Sequence, residues 1–381
     1  MKYRTLASVL FFSMIYINGY AGNTAVNSLG FKGTAMQAFV AVADDPSAIY
    51  YNPAGITQIK QPMLETNIEL YHPNVKYENS NNNTTTTSNP YAISPNVFFV
   101  TPINNDWYFG IGLYTPFARS TDYDTNAATY NSRMRSTFLR TDLVPTLAWQ
   151  VTPYLSVALS AVISYGEVKL DVLGQNESAD GFGATAQIGA LWKVTPTFQI
   201  GLDYRGPEVI HMDGSGSSSL ASGDFTTDVK YPGVLSAGFA WQLLPKWLIS
   251  FQYDYEMWSY VQGVTRYYGN TGVTNSIDAH NSSNYRLGTA YTINDKNKVF
   301  AGMSYNQAAI PADNLVPAVP DYDAVIASLG YSYTLNQWQF NLAYEFAYLI
   351  SRTSNATGFF NFAGQYYGYN QHIVLGINYL W

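Results

Sequence analysis

Four cationic side chains of this sequence could bind an anion away from bulk water. Each belongs to a stretch whose period-two pattern directs it to the polar face of a strand: Arg140, Arg205, Lys230 and Arg286. Arg140 lies two residues before Asp142, and Arg205 lies two residues after Asp203, so both have a carboxylate on their own face. The cations could hold an anionic ligand by charge-assisted hydrogen bonds, or they could neutralise neighbouring acidic side chains.

The residue types and their spacing do not indicate catalysis or metal binding. The histidines do not occur at spacings typical of a metal site: His72, His211, His280 and His372. The absence of cysteine excludes disulfides, thiolate ligands and thiol nucleophiles. The glycines near 181–183 and 213–217 do not follow a buried strand, so they do not predict a phosphate-binding turn. The sequence predicts no enzyme, no cofactor and no bound metal.

The strands that must position these cations are amphipathic. In the C-terminal stretch one face is uniformly apolar, and the intervening face is small or polar; the apolar face consists of Ile373, Leu375, Ile377, Tyr379 and Trp381. Only 12% of the residues are charged and 16% are aromatic, and alternation disperses the apolar residues along the chain. This pattern is typical of outer-membrane β-barrels. Tyr379 and Trp381 are also interpreted as a signal for barrel assembly.

The N-terminus predicts export. Lys2 and Arg4 precede an apolar run from Leu6 to Ile17, and Gly19-Tyr20-Ala21 forms a small-residue cleavage site. The run is too short to span a membrane, so residues 1–21 are assigned to a signal peptide. The expected location is the outer membrane of a Gram-negative bacterium. The net charge of -7 gives no indication of nucleic-acid binding.

Turn residues divide the remaining chain into paired strands. Six tight turns alternate with seven long connections, near 79–90, 120–136, 171–182, 212–225, 261–281, 309–320 and 353–366. Residues 61–381 are therefore predicted to form an all-β transmembrane barrel of about fourteen antiparallel strands. Because short turns are periplasmic in such barrels, both termini are expected in the periplasm.

Residues 22–60 do not alternate. Small residues dominate this segment, which is interrupted by Asp44-Asp45-Pro46-Ser47 and by Asn52-Pro53-Ala54-Gly55. Asp45 is expected to cap a short helix that begins at Pro46 and ends by Asn52. An irregular segment of small residues can fit inside a barrel of this size, where enclosed backbone is tolerated. Residues 22–60 are therefore predicted to form a plug, or hatch.

Two stretches carry more specific patterns: residues 41–55, with Asp44, Asp45, Asn52, Pro53, Ala54 and Gly55, and residues 109–117. They resemble the FadL family of outer-membrane transporters for long-chain fatty acids and other hydrophobic compounds. The resemblance covers the whole chain, from the hatch to the terminal aromatic residue. It implies a fourteen-stranded barrel with a hatch, capture of substrate near the outer loops and an interior binding site. It also implies sideways release through a wall opening beside a kinked third strand.

On this resemblance Pro116 would interrupt strand three at the opening, with Gly110 and Gly112 allowing close approach. Alternatively, the strand has already emerged into its loop at Pro116. The ligand would be a long-chain fatty acid or similar hydrophobic compound, with its head group on one or more of the four cations. The connections 171–182 and 212–225 depart from the family pattern, because they are short and rich in Gly and Ser, which argues against an extended capture groove.

The sequence leaves two alternative functions open, and it also predicts binding partners. An uptake channel for small aromatic hydrocarbons and a general porin are the alternatives. A porin would lack the hatch and would favour a charged constriction without an apolar pocket. The expected partners are the hydrophobic ligand, outer-membrane lipid and the barrel assembly machinery, and the protein is expected to be a monomer.

Overall fold

The computed structural model describes residues 28–88, 91–123, 125–217, 222–355 and 362–381. Within these ranges one antiparallel sheet closes on itself, because its first strand pairs with its last from Met63 opposite Leu380 to Asn79 opposite Gly364. The sheet contains nineteen strand segments. They are β1 (Met63–Asn79), β2 (Thr84–Thr86), β3 (Ala92–Pro102), β4 (Trp107–Tyr123), β5 (Met134–Gln150), β6 (Leu155–Val172), β7 (Gln175–Thr195), β8 (Phe198–Arg205), β9 (Glu208–Ser217), β10 (Ser222–Tyr231), β11 (Val234–Leu244), β12 (Trp247–Glu256), β13 (Gly263–Tyr268), β14 (Thr271–Ser276), β15 (Ser282–Asn294), β16 (Asn297–Asn306), β17 (Ala324–Leu335), β18 (Trp338–Ser354) and β19 (Gly364–Leu380). The predicted signal peptide lies outside the described residues.

Breaks divide five wall strands into two segments each. The pairs are β2 with β3, β8 with β9, β10 with β11, β12 with β13, and β14 with β15; β1, for example, pairs with both β2 and β3. The wall is therefore a closed barrel of fourteen antiparallel strands, which confirms the predicted fold. In β18, Leu342 and Tyr344 are exposed on the outside, whereas Asn341 and Glu345 are buried in the lumen. No helix in the described part of the chain is long and apolar enough to cross a membrane.

Three stretches predicted as long connections consist mostly of strand. β6 ends at Val172 and β7 begins at Gln175, so a tight turn at Leu173 and Gly174, with φ values of 54° and 82°, replaces the predicted loop at 171–182. Similarly, β9 and β10 cover much of 212–225, and β13 and β14 cover much of 261–281. Beyond the membrane, both faces of a strand can be solvated. Such a strand can stay paired without alternating apolar and polar residues, so its sequence does not show that it is a strand.

The segment before β1 is the predicted hatch, and it occupies the end of the lumen near the short turns. It contains α1 (Phe31–Met36), α2 (Ala48–Tyr51) and a 3-10 helix (Pro53–Gln58). Nearly all of its side chains from Leu29 to Ile59 are buried. Further 3-10 helices in the described residues are Ala127–Thr129, Trp258–Tyr260 and Ala312–Asn314. The boundaries 22–60 remain a prediction, because the described residues begin at Ser28.

The short helix near Asp45 begins later than predicted. Ser47, not Asp45, precedes the first residue of α2, and its side chain does not cap the helix. The Asp45 carboxylate instead accepts hydrogen bonds from the backbone N–H and hydroxyl of Ser47, at 3.1 and 2.6 Å. Residues 45–47 therefore form a turn before the helix. The helix ends at Tyr51, immediately before Asn52, as expected from the proline that follows.

Glycines let the hatch approach the wall closely. A Cβ atom at Gly201 would lie 2.2 Å from the carbonyl oxygen of Val40, and one at Gly302 would lie 2.5 Å from the carbonyl carbon of Met36. These distances leave no space for an L side chain, and the obstructing atoms belong to backbone. Hatch and wall are therefore in direct backbone contact.

The terminal aromatic residue allows a test of the predicted assembly signal. Trp381 is 55% exposed, and its ring packs edge-on against Phe99 and Tyr379 at 5.9 and 4.8 Å. A charge at the rim of the apolar band costs only about 0–1 kcal/mol, so Trp381→Asp should refold in detergent with near-normal stability. We expect it nevertheless to fail to assemble in cells, as measured by heat-modifiable barrel in isolated outer membranes. Trp338→Asp, at an exposed but non-terminal tryptophan, is the control; normal assembly of Trp381→Asp would contradict the signal.

Candidate ligand-binding chambers

The half of the lumen near the long loops contains an apolar cavity of about 380 Å³, which we call the outer chamber. It lies among the outer parts of β5, β6, β10 and β13. Apolar side chains provide most of its lining, including Phe138, Val168, Leu170, Val229, Tyr231 and Trp258. A cavity of this size and composition suits a hydrophobic ligand. Each methylene that leaves water for such a surrounding contributes about 0.8 kcal/mol.

The connection between β16 and β17 folds into the barrel and forms part of the chamber wall. The Asp321 carboxylate accepts hydrogen bonds from the backbone N–H groups of Ala309 and Ile310, at 2.7 and 2.8 Å. On the opposite wall, the Ser136 hydroxyl donates to the Ala318 carbonyl at 2.5 Å. The Asp321 contacts brace the connection internally, and the Ser136 contact ties it to β5 on the far side of the lumen.

A smaller, polar cavity of about 90 Å³, the inner chamber, lies between the outer chamber and the hatch. Its lining includes two tyrosines of the hatch and charged residues of the wall: Tyr50, Tyr51, Arg140, Asp203, Arg205, Asp254, Glu256 and Arg286. Phe117, Trp258 and Ala309 line both chambers, so the chambers meet at these residues. The lumen therefore changes from apolar to charged across an aromatic boundary.

Arg140 is engaged by two acidic side chains in the inner chamber. Its Nε lies 2.8 Å from Oδ1 of Asp142, its Nη2 lies 2.9 Å from Oε2 of Glu208, and only 2% of the residue is exposed. The guanidinium also lies 4.9 Å from the ring centroid of Tyr231 and 5.7 Å from that of Phe117. A ligand carboxylate would have to displace one of the two wall carboxylates.

The other two arginines are also paired. Nη1 of Arg205 lies 3.5 Å from Oδ2 of Asp142, and its Nη2 donates to the hydroxyl of Tyr114 at 2.9 Å. Nε of Arg286 lies 2.6 Å from Oδ2 of Asp254. The structure thus brings three of the four predicted cations together around the inner chamber, each with a carboxylate.

Lys230 is placed differently from the three arginines, because it lines the outer chamber rather than the inner one. The buried residues of β10 are Phe225, Thr227, Val229 and Tyr231, and Lys230 lies on the other face. The facing changes because the wall strand breaks between β10 and β11, so the inward positions of β11 do not extrapolate to β10. Its ammonium lies 5.6 Å from the ring centroid of Tyr260. No carboxylate of the described residues lies within ion-pair distance of it.

A bulge in β4 surrounds Pro116. Tyr114 pairs with Asp142 and Phe117 pairs with Arg140, so two residues of β4 stand opposite a single residue of β5. As a result, Tyr114 and Phe117 both face the lumen, where each contacts an arginine. The aromatic boundary between the chambers therefore depends on this irregularity.

The opposite edge of β4 is unpaired beside the bulge. β4 pairs with β3 from Tyr108 to Leu113, and contact with the preceding strand resumes only near Tyr123. Between these points the described residues form no ladder pairs, and Pro116 lies beside this gap. Gly110 and Gly112 lie below it, where β4 is paired on both sides. A Cβ atom at Gly110 would lie 2.9 Å from the Ile49 side chain, so this glycine makes room for the hatch.

The acidic part of the hatch motif is paired with a lysine of the hatch. Nζ of Lys32 lies 2.6 Å from Oδ1 of Asp44 and 3.8 Å from Oδ2 of Asp45. Burial raises the pKa of the Asp45 carboxyl above its ordinary value, and the Lys32 ammonium opposes this shift. The motif therefore stabilises the hatch internally rather than facing either chamber.

The second part of the motif connects the hatch to the wall. Nδ2 of Asn52 donates to the carbonyls of Val40 in the hatch and Ala190 in β7, at 2.8 and 3.0 Å. Its Oδ1 accepts from the N–H of Ala54 at 3.2 Å, and Pro53 begins the 3-10 helix. A Cβ atom at Gly55 would lie 2.3 Å from the carbonyl oxygen of Ala43, so only glycine fits there.

Sequence reasoning missed several residues that hold the hatch. Oε1 of Gln252 accepts from the N–H groups of Phe39 and Val40, both at 2.8 Å, and Oε2 of Glu345 accepts from Nε2 of Gln37 at 2.7 Å. Alternation predicts that both wall residues face inward, but it cannot identify their partners. Among the described residues no group of three or more His, Asp or Glu is arranged to hold a metal ion.

Comparisons with known proteins agree with this architecture. A family model described as outer membrane protein transport protein (OMPP1/FadL/TodX) matches residues 18–366. A long-chain fatty acid transport protein of Escherichia coli is 24% identical over 369 residues, which cover 80% of this chain and 81% of the relative. The crystal structure of a Pseudomonas aeruginosa FadL homologue has a TM-score of 0.84 at 16% identity, over 93% of this chain and 99% of the homologue. The P. putida toluene transporter TodX has a TM-score of 0.77 at 16% identity, with the same coverage of 93% and 99%.

Proposed function

The chain belongs to the OMPP1/FadL/TodX family of outer membrane transport proteins, and we propose that it takes up long-chain fatty acids or similar hydrophobic compounds. The family consists of transporters and channels for hydrophobic compounds rather than enzymes, and the protein is an outer-membrane barrel. In the proposed route, the ligand binds in the outer chamber, passes the aromatic boundary at Phe117 and leaves sideways through the unpaired wall beside Pro116. No catalytic step is proposed.

The observation that carries the proposal is the position of the apolar outer chamber: it lies in the outer half of the lumen, and the hatch fills the other half. An apolar ligand gains free energy in the outer chamber, but the hatch lies between it and the periplasmic end of the barrel. The gap beside Pro116 offers a way out that does not require the hatch to move, and it opens towards the membrane, where an apolar ligand partitions favourably. A general porin has no use for such a chamber above a filled lumen.

Pro116→Val tests the sideways route. Valine restores a backbone N–H and favours extended pairing, so it should narrow the gap without removing any core side chain. Uptake of labelled oleate by cells should then fall to the level of cells without the transporter, whereas oleate binding to the purified protein persists. Pro145→Val, in the neighbouring strand β5, is the matched control. Oleate uptake at the wild-type rate, at equal surface expression, would contradict the sideways route.

A small aromatic hydrocarbon is the second candidate ligand, and the pairing of the arginines favours it. Arg140, Arg205 and Arg286 already have carboxylate partners, so a neutral ligand would leave these pairs intact. The proposed head-group sites for a fatty acid remain these three residues and Lys230. Competition decides between the classes: oleate binding that toluene fails to displace at saturation supports the fatty acid. Toluene binding without measurable oleate binding supports the hydrocarbon.

The proposed partners follow from the closed wall. The first and last strands pair along their whole length, so neither presents an edge that a second copy would extend, and we propose a monomer in outer-membrane lipid. The barrel assembly machinery is proposed to recognise Tyr379 and Trp381.

A further inference from the structure

The wall has a second break, between the strand formed by β10 and β11 and the strand formed by β12 and β13. β10 pairs with β13 only from Phe225 to Thr227, and the pairing of β11 with β12 begins at Val234. Residues 228–233 and 257–265 form no ladder pairs with each other, within a range that the structure describes throughout. A backbone hydrogen bond from Met257 to Gly233, at 2.8 Å, closes the lower end of the break.

The rim of this break is held in place by hydrogen bonds. The 3-10 helix Trp258–Tyr260 occupies one side. Nε1 of Trp258 donates to Oε2 of Glu256 at 2.5 Å, and the N–H of Ser259 donates to Oδ1 of Asn281 at 2.9 Å. Because the backbone of this helix is curved, it cannot continue the ladder. The break is therefore a defined part of the fold.

Lys230 and Tyr260 face each other across the break. Lys230 lies on the face of β10 opposite to buried Val229, and Tyr260 is exposed. Their contact, at 5.6 Å from ammonium to ring centroid, covers the break from outside. Lys230 nevertheless also lines the outer chamber, together with Val229 and Trp258. A residue on the outer face of the wall that also lines an internal cavity marks a passage between the two.

The break lies where the wall changes from lipid-facing to solvated. Below Lys230 on the same wall strand, Leu235 and Trp241 are exposed apolar residues. Above it, Asp228 forms an exposed ion pair with His211 at 2.6 Å. This level is the outer interface of the membrane, where the head group of an amphiphile lies.

We propose that this break is a second opening, through which an anionic amphiphile passes from the outer membrane surface into the outer chamber with its head group on Lys230. The inference rests on the proposed uptake function and adds where the ligand is admitted and which cation receives it. The Lys230 ammonium has no carboxylate partner among the described residues, so it is available for a charge-assisted hydrogen bond. The apolar chain extends past Val229 and Trp258, and the head group replaces Tyr260 as the partner of the lysine.

Charge reversal tests the head-group site. Lys230→Glu should lower the rate of labelled oleate uptake about tenfold, equivalent to about 1.4 kcal/mol, and should leave toluene uptake unchanged. Lys230→Met should cause a smaller loss. Lys76→Glu is the matched control, because Lys76 also lies over a tyrosine, Tyr367, at 6.0 Å, but does not belong to the described lining of the outer chamber. Wild-type oleate uptake by Lys230→Glu, or an equal loss in Lys76→Glu, would overturn the proposal.

Chemical obstruction tests the opening itself. The chain contains no cysteine, so Lys230→Cys introduces a single thiol that a bulky polyethylene glycol maleimide can modify on intact cells. Modification should block oleate uptake, whereas modification of Lys76→Cys should not. Undiminished uptake after complete modification at 230 would refute the second opening. If Pro116→Val still abolishes uptake in that case, the proposed function stands without the second opening. If wild-type cells take up oleate no faster than cells without the transporter, the proposed function itself fails.

Discussion

Deleting residues 22–58 is expected to raise the single-channel conductance of the barrel strongly. The described part of this segment is buried within the wall, and the lumen that it occupies is lined by polar side chains such as Asn341 and Glu345. Water and ions would fill this volume once the hatch is removed. Conductance of the purified protein in planar bilayers measures the effect.

The barrel should survive this deletion. Gln252 and Glu345 lose their hatch partners, but water that enters the lumen replaces the lost hydrogen bonds, so neither group is left buried and unsatisfied. Heat-modifiability on gels verifies that the barrel is intact. A deletion of residues 80–83, at the tip of an outer loop, is the control and should leave conductance unchanged. Wild-type conductance in an intact barrel without the hatch would show that this segment does not block the lumen.

Arg140→Met is expected to destabilise the barrel by about 3–5 kcal/mol. The substitution removes the shared cation and leaves two buried carboxylates, Asp142 and Glu208, without their partner; breaking a buried ion pair from one side has a cost of this size. The urea midpoint for unfolding in detergent micelles, without ligand, measures the change. Arg205 remains near Asp142, so Glu208 is the carboxylate that is left without a cationic partner.

The matched control is an exposed arginine with the same type of partner. Arg133 lies 3.2 Å from Asp122, but its side chain is 50% exposed, so Arg133→Met should cost at most about 1 kcal/mol. The double variant Arg140→Met/Glu208→Gln should recover part of the lost stability, because glutamine replaces the carboxylate that Arg140→Met leaves unpaired. Equal small losses for both arginines would show that the inner chamber is solvated well enough to make the pair dispensable.

The barrel could be predicted from sequence because lipid imposes the same constraint on every strand. Leu342, Tyr344 and their equivalents must face outward, so period-two alternation reveals both the strand and its facing. The hatch could be predicted for the converse reason, since its small residues show no alternation. Arg140, Arg205 and Arg286 follow from the same rule and reach one chamber.

The bulge, the orientation of Lys230 and the outer chamber depend on how neighbouring strands pair. The sequence of a single strand does not predict that pairing. The bulge that turns both Tyr114 and Phe117 inward is visible only against β5. The orientation of Lys230 depends on the break between β10 and β11, which reverses the alternation. The outer chamber forms between strands that extend beyond the membrane. Because their outer face is solvated, these extensions lack the regular apolar positions that mark a lipid-facing strand. Turn composition therefore predicted loops where the structure has paired strands.

Direct contact between the hatch backbone and the wall glycines has a consequence for biogenesis. A Cβ atom at Gly201 or Gly302 would meet the hatch backbone, so the hatch fits against the wall without a gap at these two positions. The hatch immediately precedes β1, and β1 closes the wall against β19, the last strand. Pairing that proceeds along the chain leaves this seam until the end. We infer that the hatch packs while the wall is still open, and that closure of the seam between β1 and β19 encloses it.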